Sequence, residues 1–230
     1  MVSAIIVAAG KGTRMGPSVD KMFLEVHGCP VVAHTWRAFD RSNHVDELVL
    51  VVRDGLQSSF SELAEKYKFN KPHHFVTGGA QRQDSVWNGL QALAAASEIV
   101  LIQDGARPCT SAELITDTIT AARETGAAVA AQRVTDTIKQ SIDGKYVTHT
   151  LDRELLWAVQ TPQTFRVEII RRALAEVRIR GVQVTDDTAA CELIGQKVRL
   201  VLGKRPNPKV TMPEDLAMLE LLLSGIPGPP

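Results

Sequence analysis

The chain has 230 residues, 44% hydrophobic and 23% charged, an ordinary balance for one large α/β domain or two small ones. Its 26 Lys and Arg are matched by 26 Asp and Glu, so the formal net charge is zero; this argues against a non-specific nucleic-acid binder and makes any cationic site local. No apolar run approaches the roughly 20 residues of a membrane span, and the N-terminus enters a strand at once, which leaves no room for a signal peptide. Cys29, Cys109 and Cys191 lack metal spacing and read as reduced thiols of a cytoplasmic protein.

Ala4–Ala8 is a short apolar run ended by glycines, which predicts a buried parallel strand. It opens into Ala9-Gly10-Lys11-Gly12-Thr13-Arg14-Met15-Gly16, followed by Lys21. Small residues let the backbone approach a ligand and aim N–H groups at it, while Arg14 and Lys21 add fixed positive charge, a combination suited to a polyphosphate. The loop is not a P-loop, because Thr13-Arg14 stands where Lys-Ser/Thr is needed. It also misses the dinucleotide fingerprint, because its last two glycines are one residue too far apart.

Farther along, Phe23–Val26 predicts a short extended piece before the turn His27-Gly28, and Pro30 opens a helix through about Phe39. Leu48–Val52, His73–Val76, Ile99–Gln103 and Ala127–Ala131 predict strands, and helices are expected over Leu56–Lys68, Arg82–Ala95 and from the N-cap Ser111 onward. Such alternation implies parallel βαβ units in a Rossmann-like, doubly wound, mostly parallel sheet, with ligands bound beyond the carboxyl ends of the strands. Three polar clusters, Gly10–Lys21, Gly78–Ser85 and Asp104–Arg107, all follow predicted strands and so share one end of the sheet. From Arg133 the rhythm changes. Asp143-Gly144 is a hairpin-turn signal between Thr135–Ser141 and Tyr146–Thr150. An arm over about 133–157 has too little core of its own and is expected to pack on a partner subunit. Gln160–Phe165 reads as irregular, Arg166–Arg178 as helix, Val198–Leu202 as strand and Lys209–Thr211 as extended. Thr185-Asp186 and Thr211 are expected to cap helices. With no repeat or linker, residues 1–225 read as one domain, with 226–230 a flexible tail.

The loop resembles the nucleotidyltransferase signature, strand-AAGxGTRM-spacer-K. GGAQRQDSV (Gly78–Val86), QDGARP (Gln103–Pro108), TDTIK (Thr135–Lys139), HTLDRELLW (His149–Trp157), QTPQTF (Gln160–Phe165), TDD (Thr185–Asp187) and KVTMPEDL (Lys209–Leu216) follow in order. Together they resemble the 2-C-methyl-D-erythritol 4-phosphate cytidylyltransferase family of non-mevalonate isoprenoid biosynthesis, from Ala4 to about Leu223. The resemblance implies a homodimer clasped by the arm, CTP as nucleotide and Mg²⁺. It departs from the family at Asp20 and Met22, where Pro and Gln are usual, at Ala80 and Gly105, and at Pro206 and Pro208.

The expected reaction transfers CMP from CTP to the 4-phosphate of methylerythritol and releases pyrophosphate. Arg14 and Lys21 are the candidates for stabilising its transition state. The expected nucleotide contacts are Ala8, Ala9, Gly10, Lys11, Gly12 and Thr13 in the loop, with Gly78, Gly79, Arg82, Ser85, Asp104 and Gly105 beyond it. Of these, Ser85 and the glycine backbone are placed to read cytosine. Asp104, after a buried strand, suits ribose or Mg²⁺. By resemblance Arg153 and Lys209 hold the substrate phosphate, with Gly105, Arg107, Thr137 and Asp186 nearby; Thr137 and Arg153 would act on the partner subunit. Competing readings are a ribitol-5-phosphate cytidylyltransferase, a sugar-1-phosphate nucleotidyltransferase and a catalytically silent nucleotide-binding regulator.

Overall fold

In the computed structural model, which describes residues 1–10 and 20–224, strands alternate with helices along most of the chain. The strands are β1 (Val2–Val7), β2 (Glu25–Val26), β3 (Cys29–Pro30), β4 (Glu47–Val52), β5 (His73–Thr77), β6 (Ile99–Asp104), β7 (Ala127–Arg133), β8 (Lys139–Gln140), β9 (His149–Thr150), β10 (Trp157–Arg166) and β11 (Arg199–Leu202). The helices are α1 (Val31–Asp40), α2 (Gln57–Lys66), α3 (Arg82–Gln91), α4 (Ala112–Thr125), α5 (Val167–Arg180), α6 (Asp187–Glu192) and α7 (Asp215–Leu223).

One sheet has the order β11-β7-β10-β6-β1-β4-β5. Its strands are parallel except β10, which runs antiparallel to both β6 and β7. β1 pairs with β4 on one side and β6 on the other, so the chain reverses its direction of winding at β1. That reversal opens a crevice at the carboxyl ends of β1 and β6. Side-chain alternation along the central strands builds two cores. Ala4, Ile6, Leu48, Leu50 and Leu101 face one way, onto Trp36 and Phe39 of α1, Phe60 of α2 and Ile115 of α4. Ile5, Val49, Val51, Val100 and Ile102 face the other, onto Leu90 of α3 and Ile170 and Leu174 of α5. With both faces covered, the central strands read as near-continuous apolar runs.

The main departure from the sequence reading is Gln160–Phe165, expected to be irregular. It lies inside the ten-residue β10, where Gln163–Phe165 pair on both sides. A register shift between Val159 and Gln163 accommodates Pro162, whose peptide bond with Thr161 is cis. Helix α3 ends at Gln91 rather than near Ala95, because buried Glu47 of β4 captures the Ala94 amide at 3.0 Å and the Ser97 hydroxyl at 3.0 Å. Thr211 does not cap α7. Its own amide and that of Met212 instead donate to the Asp215 carboxylate at 2.7 and 2.9 Å. Lys209–Thr211 forms no strand, although the Val210 amide bonds Ala106 O at 2.8 Å.

The arm turns at Asp143-Gly144 as expected, with Gly144 at φ +70° and the Asp143 carboxylate accepting from the amides of Lys145 and Tyr146. Its ladder is shorter than the sequence implied, with two paired positions between β8 and β9. Arg133 stacks over the Trp157 ring at 4.6 Å and closes its base. Residues 226–230 lie outside the described residues. No described helix is long and apolar enough to cross a membrane, and all three cysteines are free.

Candidate active site

The glycines after β5 allow a close approach that no side chain permits. A Cβ on Gly78 would stand 2.3 Å from the Ala9 Cβ, and one on Gly79 would stand 2.3 Å from the Asp84 Cβ. The chain thereby passes against the end of β1 and enters α3 at once. Gln81 and Asp84 close the first turn of α3 as a capping box. The buried Ser85 hydroxyl accepts from the Gly79 amide at 3.0 Å and donates to Gln81 O at 3.1 Å, which fixes the glycine turn. These segments enclose a cavity of about 310 Å³ lined by Ala9 and Gly10 after β1, Gly79, Arg82 and Ser85 after β5, Asp104 and Gly105 at the end of β6, and Lys21 and Lys209. Larger hollows lie at the amino ends of the strands and between α1 and α4. We assign the site to the smaller cavity because it lies at the carboxyl ends of β1 and β6, where the winding reverses, and because its charged groups form one linked network through Asp104.

Asp104 is the electrostatic centre. Lys209 Nζ lies 2.6 Å from its Oδ2, Arg107 Nε 3.7 Å from the same oxygen, and Arg82 Nε 3.4 Å from Oδ1. Burial alone would raise the pKa of its carboxyl, but Arg82, Lys209 and Arg107 together bring it down to about 2. Arg82 also reaches Asp187, Nη1 to Oδ2 at 2.8 Å. Burial opposes the charge on Arg82, and the pull of Asp187 and then Asp104 outweighs it, so its pKa rises. Burial raises the Asp187 carboxyl, and Arg82 only partly restores it. Burial likewise lowers Arg107, whose Nη1 donates to Asn207 O at 2.7 Å. Lys21 is buried, with Nζ 3.3 Å from Val210 O. Among the described residues, Lys21, Arg82 and Lys209 line the cavity against Asp104 alone, a local excess of positive charge in a chain of zero formal charge, and a setting that attracts a polyanion.

Of the expected site residues, Ala9, Gly10, Lys21, Gly79, Arg82, Ser85, Asp104, Gly105 and Lys209 line this cavity. Ala8 and Gly78 lie directly behind it, and Arg107 braces Asp104 from below the surface. Lys11, Gly12, Thr13 and Arg14 lie outside the described residues. Asp186 is removed from the cavity: it caps α6, accepting from the Ala189 amide at 2.9 Å, and also accepts from Gln163 Nε2 at 2.9 Å. Thr137 and Arg153 sit exposed on the arm, where Arg153 Nη1 donates to Thr135 O at 2.8 Å. The single chain does not bring them to the cavity.

Among the described residues Asp104 is the one carboxylate that lines the cavity. Both its oxygens face cations, and among the described residues no group of three His, Cys, Asp or Glu is arranged to hold a metal.

Sequence reasoning missed the supports. Asn207, buried between Pro206 and Pro208, donates to Thr161 O at 2.8 Å and accepts from Thr110 Oγ1 at 3.1 Å, anchoring the approach to Lys209. Thr161 Oγ1 accepts from the Asp104 amide at 3.1 Å, and Gln163 Oε1 from the Asp187 amide at 3.0 Å.

The family model for 2-C-methyl-D-erythritol 4-phosphate cytidylyltransferase matches residues 2–225. Relatives of that name include proteins from Alkaliphilus oremlandii, 42% identical over 96% of this chain and 94% of theirs, and Geobacillus thermodenitrificans, 43% identical over 96% of each. Among solved structures, the 4-diphosphocytidyl-2C-methyl-D-erythritol synthase of Anaerococcus prevotii superposes with a TM-score of 0.85 at 34% identity, covering 97% of this chain and 98% of that one. The cytidylyltransferase of Thermus thermophilus gives 0.77 at 30% identity, covering 96% and 98%. The cavity at the β1 reversal, the glycine turn behind it and these likenesses over almost the whole length agree, and the chain belongs to the 2-C-methyl-D-erythritol 4-phosphate cytidylyltransferase family.

Proposed function

We propose that the protein transfers CMP from CTP to the 4-phosphate of 2-C-methyl-D-erythritol. The observation that carries this reading, beside family membership, is the convergence of Lys21, Arg82, Arg107 and Lys209 at the carboxyl ends of β1 and β6. An oxygen of the substrate phosphate attacks the α-phosphorus of CTP in line. The bond to the β-phosphate oxygen breaks, and pyrophosphate leaves with the electron pair. Negative charge crowds the five-coordinate phosphorus, so positioned cations supply most of the catalysis and no protein nucleophile is needed. Lys21 and Arg14 serve that charge. The backbone of Ala8–Thr13 holds the triphosphate, with Arg82 beside it. Ser85 with the Gly78-Gly79 backbone reads cytosine, and Asp104 with Gly105 meets the ribose. Lys209, braced with Arg107 on Asp104, serves the substrate phosphate. Magnesium, where used, arrives on the triphosphate oxygens; no step is assigned to a metal held by protein.

In this reading the working form is a cytoplasmic homodimer of single-domain subunits, and Arg153 and Thr137 complete the partner's site. Its support is an arm whose Ile142, Tyr146, Val147 and Leu155 are all more than 60% exposed in the single chain, an apolar surface suited to a second copy. Pyrophosphate release, measured with CTP, UTP, ATP and GTP against methylerythritol phosphate and ribitol phosphate, tests the assignment. CTP with methylerythritol phosphate is expected to be the fastest pair. A preference for another nucleotide or for ribitol phosphate would overturn it.

A further inference from the structure

Asp187 takes no part in the chemistry proposed above, yet it is an expensive residue to keep. Its side chain is 1% exposed, its Oδ2 pairs with Arg82, and its Oδ1 has no hydrogen-bond partner among the described residues. A buried carboxylate with one partner and a bare oxygen costs more than an amide or apolar side chain of the same size. Its placement is nevertheless tightly controlled. The Asp187 amide donates to Gln163 Oε1, and Gln163 Nε2 donates to Asp186, so the first turn of α6 is tied to β10. Two residues earlier, Thr161 of β10 holds the Asp104 amide. One strand thus sets the separation of the two carboxylates that share Arg82.

We infer that Asp187 is a positioning residue for the nucleotide half of the site: it anchors Arg82 by Nη1 and fixes where the guanidinium stands relative to Asp104. A guanidinium beside a carboxylate favours two parallel N–H bonds. Here Arg82 instead divides its donors, Nε making a long contact to Asp104 Oδ1 at 3.4 Å while Nη1 bonds Asp187 at 2.8 Å. Lys209 already occupies Oδ2 of Asp104. Without the charge of Asp187, the guanidinium would be free to rotate about its Asp104 contact and turn away from the nucleotide. This inference rests on the reading of Arg82 and Asp104 as nucleotide-binding residues.

Asp187→Asn preserves the shape and removes the charge. The expected result is a rise of about tenfold in the KM for CTP, with kcat within about twofold of wild type and the KM for methylerythritol phosphate unchanged, the pattern of lost ground-state binding. In an Arg82→Lys background the same change should add little, because a point-like ammonium cannot bridge two carboxylates as the fork does. Asp187→Glu keeps the charge with a longer reach and should raise the CTP KM by a smaller factor. An unchanged CTP KM in whichever of these two variants folds would overturn the inference. So would an effect of Asp187→Asn undiminished in the Arg82→Lys background, which would mark a purely structural role. Wild-type turnover of CTP, measured alongside, separates the two levels: its absence would refute the functional reading instead.

Discussion

Replacing Asp104 by asparagine should destabilise the protein by an amount that depends on pH in a defined direction. The three cations around Asp104 lower its pKa from 3.8 to about 2. At about 1.4 kcal/mol per unit this is roughly 2 kcal/mol of stability at neutral pH. Because the folded pKa is the lower one, the contribution is complete above the unfolded value and is lost as pH falls through the folded value. The asparagine variant lacks this titration, and all other carboxylates are common to both proteins. The gap between wild type and Asp104→Asn should therefore be at least about 2 kcal/mol at pH 7, since the variant also leaves Arg82, Arg107 and Lys209 facing one another. By pH 3 roughly 1 kcal/mol of it should have closed. Urea unfolding of both proteins at one fixed protein concentration, from pH 7 to pH 3, measures the gap free of any mass-action difference. A gap that stays constant over that range, or an asparagine variant as stable as wild type at pH 7, would refute the charge network as drawn.

Lys21→Ala is expected to lower kcat about 10²-fold with little change in either KM, as for loss of one preorganised donor; steady-state kinetics with retention of the assembly state by light scattering checks it, and a near-normal kcat removes Lys21 from the mechanism. Gly78→Ala would press a Cβ to 2.3 Å from that of Ala9. It should cost roughly 1–3 kcal/mol and raise the CTP KM, and a thermal scan with a CTP titration showing neither effect would mean the glycine turn is not needed. Mixing inactive Arg153→Ala with inactive Lys21→Ala subunits should restore up to about a quarter of wild-type activity, because half the dimers then carry one intact site on a two-fold axis. Confirmed subunit exchange with no recovered activity would place Arg153 in its own chain's site.

The helices and parallel strands were legible because each obeyed a local rule. The runs at Leu48–Val52 and Ile99–Gln103 are apolar on both faces and became central strands covered on both faces. Ser111 caps α4, accepting from the Leu114 amide at 3.2 Å. What could not be read were elements whose reason is tertiary. Strand β10 carries Pro162 with Gln160 and Gln163, a composition that argues for a loop or an edge. It holds the sheet interior because Gln163 is satisfied by Asp186 and Asp187, and because Thr161 and the Gln160 side chain meet Asn207 and Asp104. Those partners lie many residues away in sequence. The early end of α3 has the same origin, since nothing near Ala94 announces that Glu47 will claim its amide.

The site was legible as a set of residue types but not as an arrangement. Asp104 reads from sequence as an open carboxylate after a strand, and the structure makes it the hub of an ion-pair cluster with Arg82, Arg107 and Lys209. The departures from the family pattern around Lys21 also gain a physical account. Where proline is usual, the Asp20 side chain accepts from the Met22 amide at 3.1 Å and pairs with Arg53, so a side-chain bond holds the turn that a ring would otherwise fix. Met22, where glutamine is usual, is buried, and its Sδ would stand 3.2 Å from a Cβ at Gly105, which in turn would lie 3.1 Å from Val7 O. Glycine at 105 and methionine at 22 therefore fit each other as a pair. These substitutions compensate across the cavity while Lys21 still lines it, which weighs against a silent nucleotide-binding regulator and for an enzyme.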